Sequence, residues 1–126
     1  MRSVKTSIVI SLLLIAGAVG YFYTLDITSK KLTSEINTIQ ASALSDDWSD
    51  ANQMLSDFKS EFKTKGKVLS TLIDHYEIDS ISMSLEKLIQ YGKFEEKPEF
   101  MAELSSLTLL IEHLPEKEKF NMQNFL

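Results

Sequence analysis

The side chains most capable of chemistry lie together in one short run near the middle of the chain, Asp74-His75-Tyr76-Glu77-Ile78-Asp79. On a continuous helix His75 and Asp79, four positions apart, share a face and could offer a nitrogen and a carboxylate to a divalent cation. We therefore take His75, Glu77 and Asp79 as the candidate metal ligands. A zinc or iron site would need further ligands, and the second histidine, His113, belongs to an ordinary amphipathic segment.

The same run has a purely structural interpretation, which the sequence favours. Asp74 can cap a new helix, with Glu77 at the third helical position, while His75 or Tyr76 forms a hydrogen bond to a neighbouring helix. No glycine-rich phosphate loop, no G-x-S-x-G elbow and no H-E-x-x-H motif occurs in the chain. We predict that the protein is not an enzyme and requires no cofactor.

Composition and charge exclude several further classes of function. The chain has no cysteine, which excludes disulfides, thiolate metal sites and a cysteine nucleophile. Of its 13 Lys and Arg, Arg2 and Lys5 precede the apolar N-terminal segment, which leaves 11 basic against 18 acidic residues and a net charge of -7 for the rest. An acidic domain without a basic cluster repels nucleic acid and anionic headgroups, so we expect no nucleic-acid partner.

The N-terminal segment predicts a membrane anchor over residues 1–25. From Thr6 to Leu25 there are 20 consecutive uncharged residues, which at the helical rise span roughly 30 Å, the thickness of a bilayer core. A cleaved signal peptide is the alternative, because Ala16-Gly17-Ala18 resembles a cleavage site. Against cleavage, the apolar run continues through Phe22. We therefore expect residues 6–25 to contact membrane lipid.

The charges around this segment predict its orientation. Arg2 and Lys5 precede it, while Lys30 and Lys31 follow it and nearly balance them. A short basic tail before a first apolar segment still favours an N-terminus inside the cell. We expect a single-pass protein of the cell membrane with its C-terminal domain outside.

The residues after the anchor predict helices throughout, an all-α fold. No Gly or Pro occurs between Tyr21 and Asp47, so the membrane helix can continue into a stalk helix over residues 26–45. One face of that stalk is apolar at helical spacing. Its members are Leu25, Leu32, Ile36, Ile39 and Ala43.

Residues 46–126 predict a small antiparallel helical bundle. Asp47 can cap a helix, with Asp50 three residues later, and an apolar stripe follows: Trp48, Ala51, Leu55, Phe58 and Phe62. The aromatic members could line a ligand pocket, but this spacing is more typical of a core.

Three further boundaries are expected in this domain. The charged run 63–67 with Gly66 predicts a turn, a slip in phase near 76–79 predicts a bend, and Gly92 predicts a helix end. Pro98 suits the start of the last helix, whose apolar residues are Phe100, Leu104, Leu107, Ile111 and Leu114. In the tail, Phe120 and Phe125 either dock on the domain or on a partner.

Several of these features together resemble a known family. They are the basic start with one membrane segment, Trp48 opening an amphipathic helix, the D-H-x-E-I-D run at 74–79, and the asparagine-containing tail at 121–124. The chain resembles small membrane-anchored helical proteins of unknown function from Gram-positive, often spore-forming, bacteria. The resemblance implies a membrane-tethered helical domain, with His75, Glu77 and Asp79 matching the family's most distinctive run, and it implies no activity.

Two functions of different kinds remain open. The first is a membrane-tethered extracytoplasmic module that acts by protein–protein interaction, with a membrane-protein partner or a second copy of itself. The second is an extracytoplasmic module that binds a cation or small ligand through Asp74, His75, Glu77 and Asp79. The anchor and the absence of catalytic motifs favour the first.

Overall fold

The computed structural model describes residues 1–71, 73–116 and 123, and these contain four helices and no strand. The predicted all-α fold is therefore confirmed. The helices are α1 (Arg2–Leu44), α2 (Trp48–Leu69), α3 (His75–Lys93) and α4 (Lys97–Glu112).

Helix α1 is continuous from the apolar segment into the predicted stalk, as the absence of Gly and Pro indicated. Its 43 residues correspond to a length of roughly 65 Å at the helical rise. The second half is not a free-standing stalk, because the predicted apolar face is buried by contacts with α2 and α4. Ser29 lies on this face, and its hydroxyl donates to the carbonyl of Ile111 at 2.8 Å. The residues 26–45 thus form the first helix of the bundle.

The four helices enclose one core in a closed arrangement. Each helix packs on its neighbours in sequence, and α4 closes the bundle by packing on α1. Short connections make consecutive helices antiparallel. The predicted stripes of α2 and α4 are buried throughout, and Trp48 packs edge to face on Phe100 with ring centroids 5.2 Å apart. Trp48, Phe58 and Phe62 are therefore core residues.

Two tight turns reverse the chain at the end of the bundle far from the apolar segment. After α1, Asp46 adopts a φ of 59°, and the Asp47 N–H donates to the Ser42 carbonyl at 2.9 Å. After α3, Glu95 adopts a φ of 54°, and the Glu96 N–H donates to the Tyr91 carbonyl at 2.9 Å. Both are Schellman motifs that use a left-handed residue other than glycine. The Asp46 carboxylate also pairs with Lys97 at 2.9 Å.

Asp47 caps α2 as predicted, because its side chain accepts from the backbone N–H of Asp50 at 3.2 Å. The turn expected at 63–67 is wrong, since α2 runs on to Leu69. Lysine favours helices, and these lysines lie on its outer surface, so the charged run does not interrupt the core face. The bend expected near 76–79 is also displaced, because the break precedes α3, which begins at His75.

The helix end predicted at Gly92 is confirmed, because α3 ends at Lys93, one residue later. Gly92 itself belongs to the last turn of the helix. It is buried in α3, where an added Cβ would lie 2.2 Å from Asn52 Oδ1 and 3.2 Å from a Phe100 ring carbon. The Asn52 amide donates to the Gly92 carbonyl at 3.1 Å. The glycine is required here by a close approach between α2 and α3. The tail residues Phe120 and Phe125 lie outside the described residues.

Candidate functional site

The candidate metal residues lie at the start of α3. Asp74 is the N-cap, and its carboxylate accepts from the Tyr76 backbone N–H at 3.1 Å. Glu77 occupies the first turn, where a negative charge is favoured by the exposed N–H groups. The interpretation of this run as a helix start is therefore confirmed, whereas the predicted hydrogen bond from His75 or Tyr76 to a neighbouring helix is wrong, because both side chains are exposed.

The structure does not bring the three candidate ligands together. His75 and Asp79 are exposed on one face of α3, whereas Glu77 is turned inward and only 6% exposed. Two positions along a helix rotate a side chain by about 200°, so Glu77 cannot join a pair formed by its neighbours on either side. Across residues 1–71, 73–116 and 123, no three His, Asp or Glu side chains are grouped to hold a metal ion. The second histidine, His113, is exposed at the end of α4.

An open groove of about 470 Å³ lies between α2 and α3, and we call it the α2–α3 groove. Its floor is apolar and is formed by Phe62, Ile78 and Leu85. Its rim is polar and carries Lys59, Lys63, Gly66, Lys67, Ser70, Ser82 and Glu86. The sequence analysis missed this groove because it interpreted the run 63–67 as a turn. The spacing of Lys59, Lys63 and Lys67, one helical turn apart, is the signal that could have revealed it.

Helix α3 presents a separate exposed apolar surface. Tyr76 and Met83 are seven positions apart, and Phe94, the C-cap residue, follows eleven positions later on the same side of the helix. Their side chains are 71%, 61% and 67% exposed, respectively. We call these three residues the α3 outer stripe. Single exposed apolar residues are common on soluble proteins, and these three share one side of α3 at separations of about 10 and 16 Å along the helix axis.

The first half of α1 is the third notable surface. It is long and apolar enough to cross a membrane, and only 6% of its most apolar 18-residue window is buried. The core helix of a soluble protein would be mostly buried, which distinguishes α1 from that class. A signal sequence near the N-terminus has the same properties.

Comparison with known proteins gives one match. Residues 19–125 match the model of a family described as a domain of unknown function, DUF4363. The matched range includes all of the α1 surface that packs in the bundle, and also α2, α3 and α4. Searches of curated proteins and of solved structures find no match. Because the match covers most of the sequence, the chain belongs to the DUF4363 family.

Proposed function

We propose that the chain is a membrane-tethered helical module of the extracytoplasmic surface that acts by binding another protein. In this proposal residues 6–25 cross the cell membrane once, the N-terminus is inside, and the bundle is outside. The module is not an enzyme and binds neither nucleic acid nor a cofactor. We retain the expectation of a Gram-positive bacterial source.

The exposure of the apolar segment is the main observation that supports a membrane tether. The eight residues from Ile8 to Ile15 include seven large apolar side chains that are at least half exposed, among them Leu13 at 67% and Leu14 at 70%. Apolar surface in water is unfavourable by about 25 cal/mol per Å². A bilayer removes this surface from water, and the length of the segment fits the bilayer core.

The continuity of α1 supports a retained anchor over a cleaved signal. Residues Ala16 to Ala18 lie inside an unbroken helix that continues into the bundle core. Removing the residues before that point would also remove the lipid contact. Mass spectrometry of the mature protein tests this directly, since peptides from residues 1–18 are expected and their absence would favour cleavage.

The α3 outer stripe supports the protein-binding part of the proposal. It combines two aromatic side chains with a methionine, residue types that are enriched where proteins bind one another. It is also separate from the packed faces of the bundle. A protein in the same membrane is the partner we propose, either an integral membrane protein or a second copy of this chain.

A photo-crosslinking residue at Met83 tests this part in native membranes. We expect a crosslinked product at Met83, and its mass identifies either a homodimer or a second protein. The matched control places the same residue at Ser56, which is exposed on α2. Equal crosslinking at both positions, or none at Met83, would contradict the proposal.

The cation-binding alternative has no comparable support. Its residues, Asp74, His75, Glu77 and Asp79, form a helix start and do not converge. We do not propose it further.

A further inference from the structure

The α2–α3 groove offers unpaired positive charge above an apolar floor. Lys59 forms an ion pair with Glu86, the acidic residue of the rim. The side chains of Lys63 and Lys67 have no ion pair with any residue in the described part of the chain. The hydroxyl of Ser82 lines the same rim. Such a site suits an anionic group attached to an apolar body.

The lower end of this groove is level with the point where α1 leaves the apolar segment. Ile78 lines the groove and also lines a narrow apolar cavity together with Leu25 and Leu69. Leu25 is the last residue of the uncharged segment. If that segment crosses a bilayer, the groove therefore opens at the height of the lipid headgroups.

Part of the negative charge of the chain is remote from the groove, because four carboxylates lie in the turns at the other end of the bundle. The turns there carry Asp46, Asp47, Glu95 and Glu96. Helix α2 has 22 residues and so separates the two ends by roughly 30 Å. Charges in physiological salt are screened over about 8 Å. The lysines of the groove thus act on a bilayer surface with little repulsion from the distant turns.

Two acidic residues near the membrane end form local ion pairs. Asp26 pairs with Lys30 at 3.1 Å, and Glu61 pairs with Lys65 at 3.9 Å. Asp74, Asp79 and Glu112 are exposed at the same end. The groove itself is lined by three lysines and by one carboxylate, that of Glu86, and is therefore a basic site.

We propose that the α2–α3 groove binds the headgroup of an anionic lipid from the membrane that holds the chain. The phosphate accepts from the ammonium groups of Lys63 and Lys67, and the glycerol and first acyl carbons cover Ile78 at the membrane end of the groove. This inference rests on the proposed tether. Lipid binding fixes the bundle against the bilayer and so orients the α3 outer stripe.

Labelled full-length chain in lipid nanodiscs tests the proposal. Because the chain has no cysteine, Ser82→Cys gives one attachment point for an environment-sensitive fluorophore on the rim, and Ser56→Cys gives the control on α2. Nanodiscs contain phosphatidylcholine alone or mixed with phosphatidylglycerol. We expect phosphatidylglycerol to shift the emission at position 82 and to leave that at position 56 unchanged.

Two pairs of lysine substitutions distinguish binding in the groove from general electrostatic attraction to an anionic bilayer. Lys63→Gln with Lys67→Gln should abolish the shift, whereas Lys30→Gln with Lys31→Gln, on α1 near the same level, should preserve it. Gly66→Leu provides a second test, because nothing lies within 4 Å of an added Cβ there. It should block the groove and reduce co-purification of phosphatidylglycerol, measured by mass spectrometry in an unlabelled chain.

The outcomes distinguish the two proposals. A chain that does not enter nanodiscs overturns the tether and this inference with it. If the chain enters nanodiscs but phosphatidylglycerol causes no emission shift at position 82, the lipid site alone is overturned. The same holds if both pairs of lysine substitutions reduce that shift equally. A shift caused by soluble polyglutamate and not by phosphatidylglycerol overturns it in favour of an acidic protein segment.

Discussion

Replacement of Gly92 by alanine is expected to destabilise the bundle in the natural chain and to stabilise it once Asn52 is also alanine. The added Cβ would lie 2.2 Å from Asn52 Oδ1, so the Asn52 amide must move and lose its 3.1 Å hydrogen bond to the Gly92 carbonyl. In the Asn52→Ala background that obstacle is absent. The sign of the effect therefore reports the close approach of α2 and α3.

The expected magnitudes follow from three contributions. Alanine favours the helix over glycine by about 0.5–1 kcal/mol, whereas the lost hydrogen bond costs about 1 kcal/mol and the overpacking costs about 1–3 kcal/mol. The net change for Gly92→Ala alone is a destabilisation of about 1–3.5 kcal/mol. With Asn52→Ala the remaining close contact is Phe100 at 3.2 Å, and the substitution should stabilise by up to about 0.5 kcal/mol. The coupling free energy is then about 1–4 kcal/mol.

Urea unfolding of the full chain in detergent micelles measures this cycle. Trp48 is the one tryptophan and packs on Phe100, so its fluorescence reports the core beside Gly92. The carbonyl of Gly92 keeps a second partner, the N–H of Glu95 at 3.2 Å, so Asn52→Ala alone does not leave it unpaired. A Gly92→Ala effect of the same sign and size in both backgrounds would refute the reasoning.

Four other substitutions are tested by the same unfolding assay. Glu95→Gly removes a side chain from a left-handed position, φ 54°, and should stabilise by about 1 kcal/mol; no gain would contradict the Schellman geometry. Ser29→Ala removes the buried bond to the Ile111 carbonyl and should destabilise by about 1–3 kcal/mol. Ile36→Ala, at a site 2% exposed, should destabilise by about 2–5 kcal/mol, whereas Ile27→Ala on the exposed face should change stability by less than about 0.5 kcal/mol. Equal effects at both isoleucines would mean that the second half of α1 stands free of the bundle.

Periodicity predicted much of this fold because burial and helical spacing impose the same pattern. The stripes beginning at Leu25, Trp48 and Phe100 are all buried as expected. The end of α2 was placed too early, since a glycine among lysines resembles a turn locally. Packing on α1 and α3 extends the helix to Leu69, and that tertiary contribution is not visible in local sequence.

The site was harder to predict than the fold. The run 74–79 drew attention because it gathers titratable residues, yet its composition also suits a helix start, which is what the structure contains. The α2–α3 groove combines residues from two helices that are brought together only by the antiparallel packing of the bundle. The regular spacing of its lysines is visible in the sequence of α2. The residues that α3 contributes to the apolar floor cannot be inferred from that spacing.

Thiol labelling in intact cells tests the membrane-tethered arrangement most directly. The natural chain has no cysteine, so Ser56→Cys reports the bundle and Ser3→Cys reports the N-terminus. With a membrane-impermeant reagent, we predict labelling at position 56 in intact cells and at position 3 only after the cells are opened. Labelling at position 3 with protection at position 56, or release of the protein from membranes by alkaline carbonate, would contradict the account.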